Sequence, residues 1–261
     1  MVSPLALPVL AGSQGSWPPE WLTALERFGP HVLAAWAAIL IVRALLRQHR
    51  YRAAGALGES DRAAVRAALL EAESRTAGEI VPVVVERSDS HPDARWIVAL
   101  GTLLLGTALL SSRLPWDAPP LLLLCQVGLG ALGWLLAWLL PDLQRLVVSE
   151  SRATHVAEEQ AAQEFRRQEL HRTRDASGVL LLVSLFERRV IVLGDAGIHA
   201  RVGDAHWTAT TEAVLDGIAR GSLRDGLVAG IERCGAVLAA HFPARPDDRN
   251  ELPDRLVVRR Q

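Results

Sequence analysis

The sequence predicts an α/β fold: a small sandwich in which a mixed sheet is flanked by helices, with a two-helix transmembrane hairpin inserted in it. Short apolar runs typical of strands alternate with longer segments of helical periodicity, as in a sheet covered by helices. Two other blocks, residues 96–110 and 121–140, contain no charged residue, although the rest of the chain is rich in arginine and glutamate.

The two uncharged blocks have the length and the flanking residues of membrane spans. The second block is about 20 residues long, which as a helix covers about 30 Å, the thickness of the hydrocarbon layer. The first reaches a similar length when counted over residues 94–112, and Trp96 and Trp116 lie near its ends, where aromatic belts occur. A short proline-rich linker makes the two helices antiparallel neighbours, so residues 94–142 are predicted to form the hairpin.

A third apolar stretch, residues 32–42, is followed by Arg43 and has about half the length that a span needs. A spanning helix and a surface-lying helix both fit it, so residues 1–55 are interpreted as a tail with a possible membrane helix. The first residues lack a positively charged start and do not resemble a cleaved signal peptide.

Arginines near the ends of the spans predict the orientation. Positively charged residues accumulate on the cytoplasmic side of membrane proteins. The hairpin tip has only Arg113, whereas the domain side carries six arginines: Arg87, Arg95, Arg145, Arg152, Arg166 and Arg167. We therefore expect an integral protein of a bacterial inner (plasma) membrane with its domain in the cytoplasm.

The charged part of the chain is predicted to form one split domain, residues 58–93 and 145–243, followed by a tail at 244–261. Before the hairpin, a helix over residues 60–74 precedes a strand at 79–86, which Pro82 restricts to an edge or a bulge. After the hairpin come a long helix, a continuous apolar strand at 178–185, a paired strand at 190–193 and two helices. A continuous apolar strand is typical of the centre of a sheet covered on both faces.

Composition excludes several classes of function. The chain has no lysine, so a Walker-A phosphate loop, a Schiff-base lysine and a kinase-type lysine are all ruled out. The two cysteines, Cys125 and Cys234, cannot form a zinc site and are interpreted as buried thiols. The net charge is −1, and no basic stripe alternates with aromatic residues, so nucleic acid is not an expected partner.

Six segments resemble the TPM domain family, among them Ser-Gly-Val-Leu-Leu-Leu at 177–182, close to its "NGVLLL" strand, and Glu-Arg-Arg-Val-Ile at 187–191, close to the "DR-x-V" segment that follows that strand. Glu187 stands where the family has aspartate. The other four are residues 76–81, 195–198, 203–205 and 220–227. Together they cover residues 60–242 apart from the hairpin, and the tail resembles the branch of the family with two inserted membrane helices. The resemblance implies acid phosphatase activity, calcium binding, or a role in assembling membrane complexes.

Two carboxylates are candidate metal ligands. Asp195 follows the end of a strand and Asp204 lies at the start of a helix, and such loops often meet at one rim of a sheet. Together they offer oxygen ligands to a hard cation, with calcium or magnesium as the expected ions; no other cofactor is expected. The alternatives remain a turn role for Asp195 and helix capping for Asp204. Glu187 is expected at the opposite end of the sheet and is a weaker candidate.

Two hypotheses follow for the function. The first is a membrane-anchored interaction module whose partners are the lipid bilayer and other membrane proteins, supporting assembly or quality control of membrane complexes. The second is a membrane-bound, metal-assisted phosphatase.

Overall fold

The computed structural model describes residues 57–202, 204–220, 222–245, 252 and 255–259; of Asp204 and Ala205 it gives the backbone only. The possible membrane helix at 32–42 lies outside these residues. In chain order the elements are α1 (Glu59–Glu73), β1 (Glu79–Val85), α2 (Pro92–Leu109), α3 (Pro119–Leu139), α4 (Pro141–Val147), α5 (Glu150–Arg167), β2 (Gly178–Ser184), β3 (Arg189–Gly194), α6 (Ala196–His199), α7 (Asp204–Arg220), α8 (Leu223–His241) and β4 (Val257–Arg259).

The strands form one mixed sheet of order β3-β2-β1-β4. β1 runs parallel to β2 with Glu79 opposite Gly178, while β2 and β3 form an antiparallel hairpin. The prediction that the strands on either side of the α2–α3 insertion lie in one sheet is therefore confirmed. The boundaries of the split domain remain a prediction.

Two apolar clusters cover the two faces of the sheet. One joins α1 and α8 to side chains of β1 and β2, including Leu69, Ile231 and Leu181. The other joins the opposite face of the same strands to α5, through Ala161 and Leu180. Every residue of β2 is buried. This is the burial of a central strand, which the unbroken apolar run predicted. The architecture is thus an α/β sandwich of a mixed sheet between helices.

Pro82 lies in β1, which has a neighbouring strand on each side. Proline has no backbone N–H, so at its position β1 cannot form every hydrogen bond that two neighbouring strands require. β4 pairs with β1 only from Val83 to Val85. At Pro82, β1 is therefore paired on the β2 side alone, and the missing N–H is tolerated where the strand is locally an edge. β4 itself was not predicted from sequence, since it is three residues long and lies in what was interpreted as a tail.

The insertion is a helical hairpin that packs through small residues. A Cβ added at Gly133 of α3 would lie 2.5 Å from Thr102 Oγ1 and 2.9 Å from Ala99 Cα of α2. Among the described helices, only α3 is both long enough and apolar enough to be a candidate membrane span. α2 carries Asp93 and Arg95 in its first turn. The assignment of α2 as a second span therefore stays a prediction.

The close approach at Gly133 predicts a selective effect of added bulk. Gly133→Leu should lower the melting temperature of the detergent-solubilised chain, because overpacking costs about 1–3 kcal/mol. Gly101→Leu on α2 is the matched control, because a Cβ there meets nothing within 4 Å. Equal melting temperatures for the two variants would contradict the packing described.

The two cysteines differ in environment. Cys234 of α8 is fully buried, and burial raises the pKa of its thiol to about 12, so it is unreactive in the folded protein. This confirms the interpretation of Cys234 as a buried thiol. Cys125 on α3 is only half-buried, so the same interpretation was wrong for that residue.

Candidate functional site

A polar cluster lies where the carboxyl ends of β1 and β2 meet, at the side of the sheet from which the hairpin emerges. Because β1 and β2 are parallel, their carboxyl ends meet at this edge. The loop after β1 contributes Ser88 and His91, and the end of β2 with its turn contributes Ser184 and Glu187. We call these four residues the Glu187 cluster.

Glu187 is the centre of the cluster. Its Oε1 lies 2.7 Å from His91 Nε2, and its Oε2 accepts hydrogen bonds from Ser184 Oγ and, at 3.0 Å, from the backbone N–H of Ser88. Ser88 Oγ in turn donates to Ser184 Oγ over 2.9 Å. Both carboxylate oxygens are therefore bonded, as a buried carboxylate requires.

The cluster is joined to both helices of the hairpin. His91 has a left-handed backbone, with φ 44°, and directly precedes Pro92, the first residue of α2. Arg87 stacks 4.0 Å above the Phe186 ring and donates through Nη1 to Gln144 Oε1 of α4. Gln144 Nε2 donates to the carbonyl of Ala137 in α3 over 2.7 Å. A chain of polar contacts therefore runs from the sheet edge to the base of α2 and α3.

Burial and hydrogen bonding shift the pKa values of the carboxylates at this site in opposite directions. Burial favours the neutral form of Glu187, but hydrogen bonds from His91, Ser184 and Ser88 outweigh it and hold its pKa below the ordinary value. Partial burial likewise opposes ionisation of Asp89, whose pKa is lowered chiefly by the hydrogen bond from Arg152. The pKa of Arg87 is lowered by burial and by Arg95, while Glu187 acts to raise it.

The cluster is closed to solvent. His91 is 4% exposed and Glu187 is 3% exposed, so neither reaches a dissolved substrate in this conformation. His91 and Glu187 are residue types that could form an acid–base dyad, but here they bond to groups of the protein itself. Its geometry is suited to fixing the angle at which the hairpin leaves the sheet.

The predicted metal ligands lie elsewhere. β3 runs antiparallel to β2, so Asp195 lies at the opposite edge of the sheet, where its N–H donates to the carbonyl of Gly178 over 2.9 Å. Its Oδ1 accepts from the N–H of Ala196 and caps α6, whereas its Oδ2 is buried and has no hydrogen-bond partner in the described part of the chain. Asp204 begins α7, and its side chain is outside the description. Among the described residues, no group of three or more His, Cys, Asp or Glu is placed to hold a metal ion. A cation at Asp195 and Asp204 stays a prediction.

Melting curves test the cation directly. If Asp195 and Asp204 share an ion, calcium or magnesium at about 100 times the dissociation constant should stabilise the protein by roughly 2.7 kcal/mol. Asp195→Asn should abolish that rise in melting temperature, whereas Asp216→Asn, an exposed position on α7, should preserve it. A wild type whose melting temperature changes with neither calcium nor magnesium would contradict the prediction.

Sequence reasoning missed the Glu187 cluster. Glu187 was rated the weaker carboxylate, and His91 belongs to no motif. The two residues are 96 positions apart along the chain. The only available signal was that Glu187 and Ser88 each follow a strand, and it becomes informative once β1 and β2 are known to be parallel neighbours.

Comparison with known proteins supports part of the resemblance. Residues 142–237 match the family described as "TPM_phosphatase: TPM domain". The match begins in α4 and ends in α8, so it includes Glu187, Asp195 and Asp204 but excludes β1, His91 and the hairpin. A further similarity is to the NMR structure of the BA42 protein from the psychrophilic bacterium Bizionia argentinensis. That similarity has 21% sequence identity and a TM-score of 0.49, and covers 77% of this chain and 94% of that chain. No curated protein matches the chain.

Proposed function

We propose that this protein is a membrane-anchored, TPM-like interaction module that supports the assembly or quality control of membrane protein complexes. The observation that carries the proposal is the surface of the α2–α3 hairpin, which exposes large apolar side chains along both helices. A soluble domain rarely leaves an apolar patch larger than a few hundred Å² facing water.

The exposed apolar side chains are too numerous for a soluble surface. The most apolar window of α3 is only 11% buried, so α3 does not form part of the core of the described domain. Leucines dominate the uncovered surface of the hairpin: Leu100, Leu104, Leu105, Leu109, Leu121, Leu123, Leu124, Leu132 and Leu135. In lipid, unlike in water, exposing this apolar surface carries no free-energy cost.

The dimensions of the hairpin fit a bilayer. α3 has 21 residues, which corresponds to about 31 Å at about 1.5 Å per residue. Exposed tryptophans lie at both ends, with Trp96 and Trp138 at the base and Trp116 at the tip. Leu146 of the short helix α4 is 82% exposed at the base as well, which suits a helix lying on the membrane surface.

The buried cluster favours an interaction role over catalysis. Glu187 bonds to His91 and to the two serines, leaving no open acid–base pair, and the cluster connects the sheet to the root of the hairpin. An anchored domain held at a fixed angle presents its remaining surface to neighbouring membrane proteins. The arginine asymmetry supports a cytoplasmic location for that surface.

Purification from membranes tests the proposal. The full-length chain, tagged after Gln261 and extracted in mild detergent, should co-purify with integral membrane proteins in a fixed ratio. The same proteins should be lost when a Glu187→Ala change loosens the joint, while a variant at exposed Glu212 should retain them. A chain that elutes alone under every mild extraction condition would contradict the proposal.

The alternative is a metal-assisted phosphatase, which is favoured by the name of the matching family and by Asp195 Oδ2, which is buried and has no hydrogen-bond partner among the described residues. The purified full-length protein would then hydrolyse a phosphate monoester in the presence of calcium or magnesium. Asp195→Asn would abolish the turnover and Asp216→Asn would not. Hydrolysis with this pattern would replace the interaction module as the leading account.

A further inference from the structure

A groove opens between α2 and α3 near the base of the hairpin. Its volume is about 600 Å³, within the range of sites for small organic molecules. Trp96 and Trp134 line it together with Leu100 and three small residues, Ala99, Gly130 and Ala131. The surface of the groove is almost entirely apolar, so its occupant must present hydrocarbon.

An arginine precedes the first lining residue of this groove on α2. Arg95 directly precedes Trp96 and lies one helical turn before Ala99 on α2. Its Nε is buried and has no hydrogen-bond partner among the residues that the structure describes. A buried guanidinium donor without an acceptor is costly. Because Arg95 as a residue is only half-buried, its guanidinium can turn toward an acceptor outside the chain.

Arg87 adds a second charge at the same place. Arg87 follows β1, and Arg95 lies in the first turn of α2. The charge of Arg95 lowers the pKa of Arg87, although Glu187 acts more strongly in the opposite direction. The nearby carboxylates are engaged: Glu187 bonds to His91, and Asp89 pairs with Arg152 at 3.0 Å. Asp93, two residues before Arg95, is exposed. An anion bound by both arginines would lower their mutual repulsion further and give the Arg95 guanidinium an acceptor.

We propose that the α2–α3 groove binds one anionic phospholipid, with its phosphate at Arg95 and Arg87 and an acyl chain between Trp96 and Trp134. The inference rests on the proposed membrane insertion, which puts the groove in the hydrocarbon layer and the arginines at the headgroups. Charge complementarity selects the occupant, because an apolar groove that ends in two arginines matches a molecule with a hydrocarbon chain and an anionic head. The bound lipid would contact Arg87, and through it the Glu187 cluster.

The test uses the full chain reconstituted in vesicles of equal parts phosphatidylglycerol and phosphatidylcholine. After extraction in mild detergent, native mass spectrometry counts the phospholipid that each chain retains. The wild type should retain phosphatidylglycerol in preference to phosphatidylcholine. Arg95→Gln should reduce that preference about fivefold, which corresponds to about 1 kcal/mol per arginine at an anionic surface. Arg113→Gln, at the hairpin tip, is the matched control and should leave the preference unchanged.

A second pair of variants tests the groove itself. Gly130→Leu should reduce retention of both phospholipids, because a Cβ at Gly130 has ordinary contact with Leu103, at 3.6 Å, so the larger side chain can be accommodated and fill the groove. Gly128→Leu adds the same bulk where a Cβ meets nothing within 4 Å, and it should retain lipid as the wild type does.

Four results would overturn the inference. Equal retention of the two lipids by a wild type that resists alkaline carbonate extraction would overturn the lipid site and leave the proposed membrane anchoring intact. An equal effect of Arg113→Gln and Arg95→Gln would reduce the preference to general surface charge. A stable dimer that Gly130→Leu dissociates would assign the groove to a second copy of the chain. A wild type that carbonate extracts from the vesicles would overturn the proposed function together with this inference.

Discussion

Glu187→Ala should lower the free energy of unfolding of the full-length chain by about 3 kcal/mol, because removing one partner of a buried charged pair leaves the others unpaired. His91 Nε2, Ser184 Oγ and the N–H of Ser88 would all lose their acceptor in a place that water does not reach. Chemical denaturation in detergent, followed by circular dichroism, measures the change. The effect should be among the largest that a single substitution produces here.

Two variants make this prediction specific. Glu187→Gln retains the shape and a carbonyl acceptor, so it should cost less than Glu187→Ala. Glu212→Ala removes an exposed glutamate from α7 and should change stability by no more than about 0.5 kcal/mol. If Glu187→Ala were as mild as Glu212→Ala, the cluster would not be a structural joint.

Acid should weaken the same joint. The pKa of Glu187 is lower in the folded chain than its ordinary value of 4.5, so its contribution to stability is complete above that value. The contribution is lost as the pH falls through the folded pKa. The wild type should therefore lose more stability than Glu187→Gln when the pH is lowered from about 5 to about 3. Asp89 titrates in the same direction in both proteins, so the difference between them isolates Glu187.

Charge placed on the hairpin should have the second large effect. Leu104 of α2 is 59% exposed and Leu132 of α3 is 47% exposed, and in the proposed arrangement both face lipid. An arginine at the centre of a span costs about 2.5 to 3.5 kcal/mol on the insertion scale, so the double change Leu104→Arg and Leu132→Arg should abolish stable insertion. Alkaline carbonate should then release the chain from membranes.

The matched control replaces the same two leucines with phenylalanine, which is similarly apolar and should leave the chain in the membrane pellet. A double-arginine variant that stays in the pellet would show that this surface does not face lipid. A wild type found in the carbonate supernatant would contradict membrane insertion altogether.

The sheet could be predicted because its signals are local. The continuous apolar run of β2 and the tight turn at Phe186 determine a central strand and a hairpin, and the order of elements follows from periodicity. β4 escaped prediction because three residues carry no usable period. The prediction that Pro82 restricts β1 to an edge was wrong, because β1 lies between β2 and β4; at Pro82 itself the β4 side is unpaired.

The Glu187 cluster could not be predicted, because it depends on tertiary structure. His91 and Glu187 meet only after β1 and β2 pair across the inserted hairpin, and no spacing in the sequence encodes a contact over 96 residues. Asp195 was selected for its place after a strand, a signal that cap residues and metal ligands share. Its cap role is visible in the structure, whereas its role as a ligand awaits the melting experiment.

The central claim is that the hairpin crosses the membrane while the α/β domain lies in the cytoplasm, and cysteine labelling in intact cells tests it most directly. With Cys125 and Cys234 replaced by alanine, single cysteines are placed at Ser112 in the hairpin tip and at Ser222 before α8, both exposed positions. A membrane-impermeant thiol reagent should label position 112 in intact cells and position 222 only after permeabilisation. Labelling of position 222 in intact cells, or of position 112 only after permeabilisation, would contradict the account.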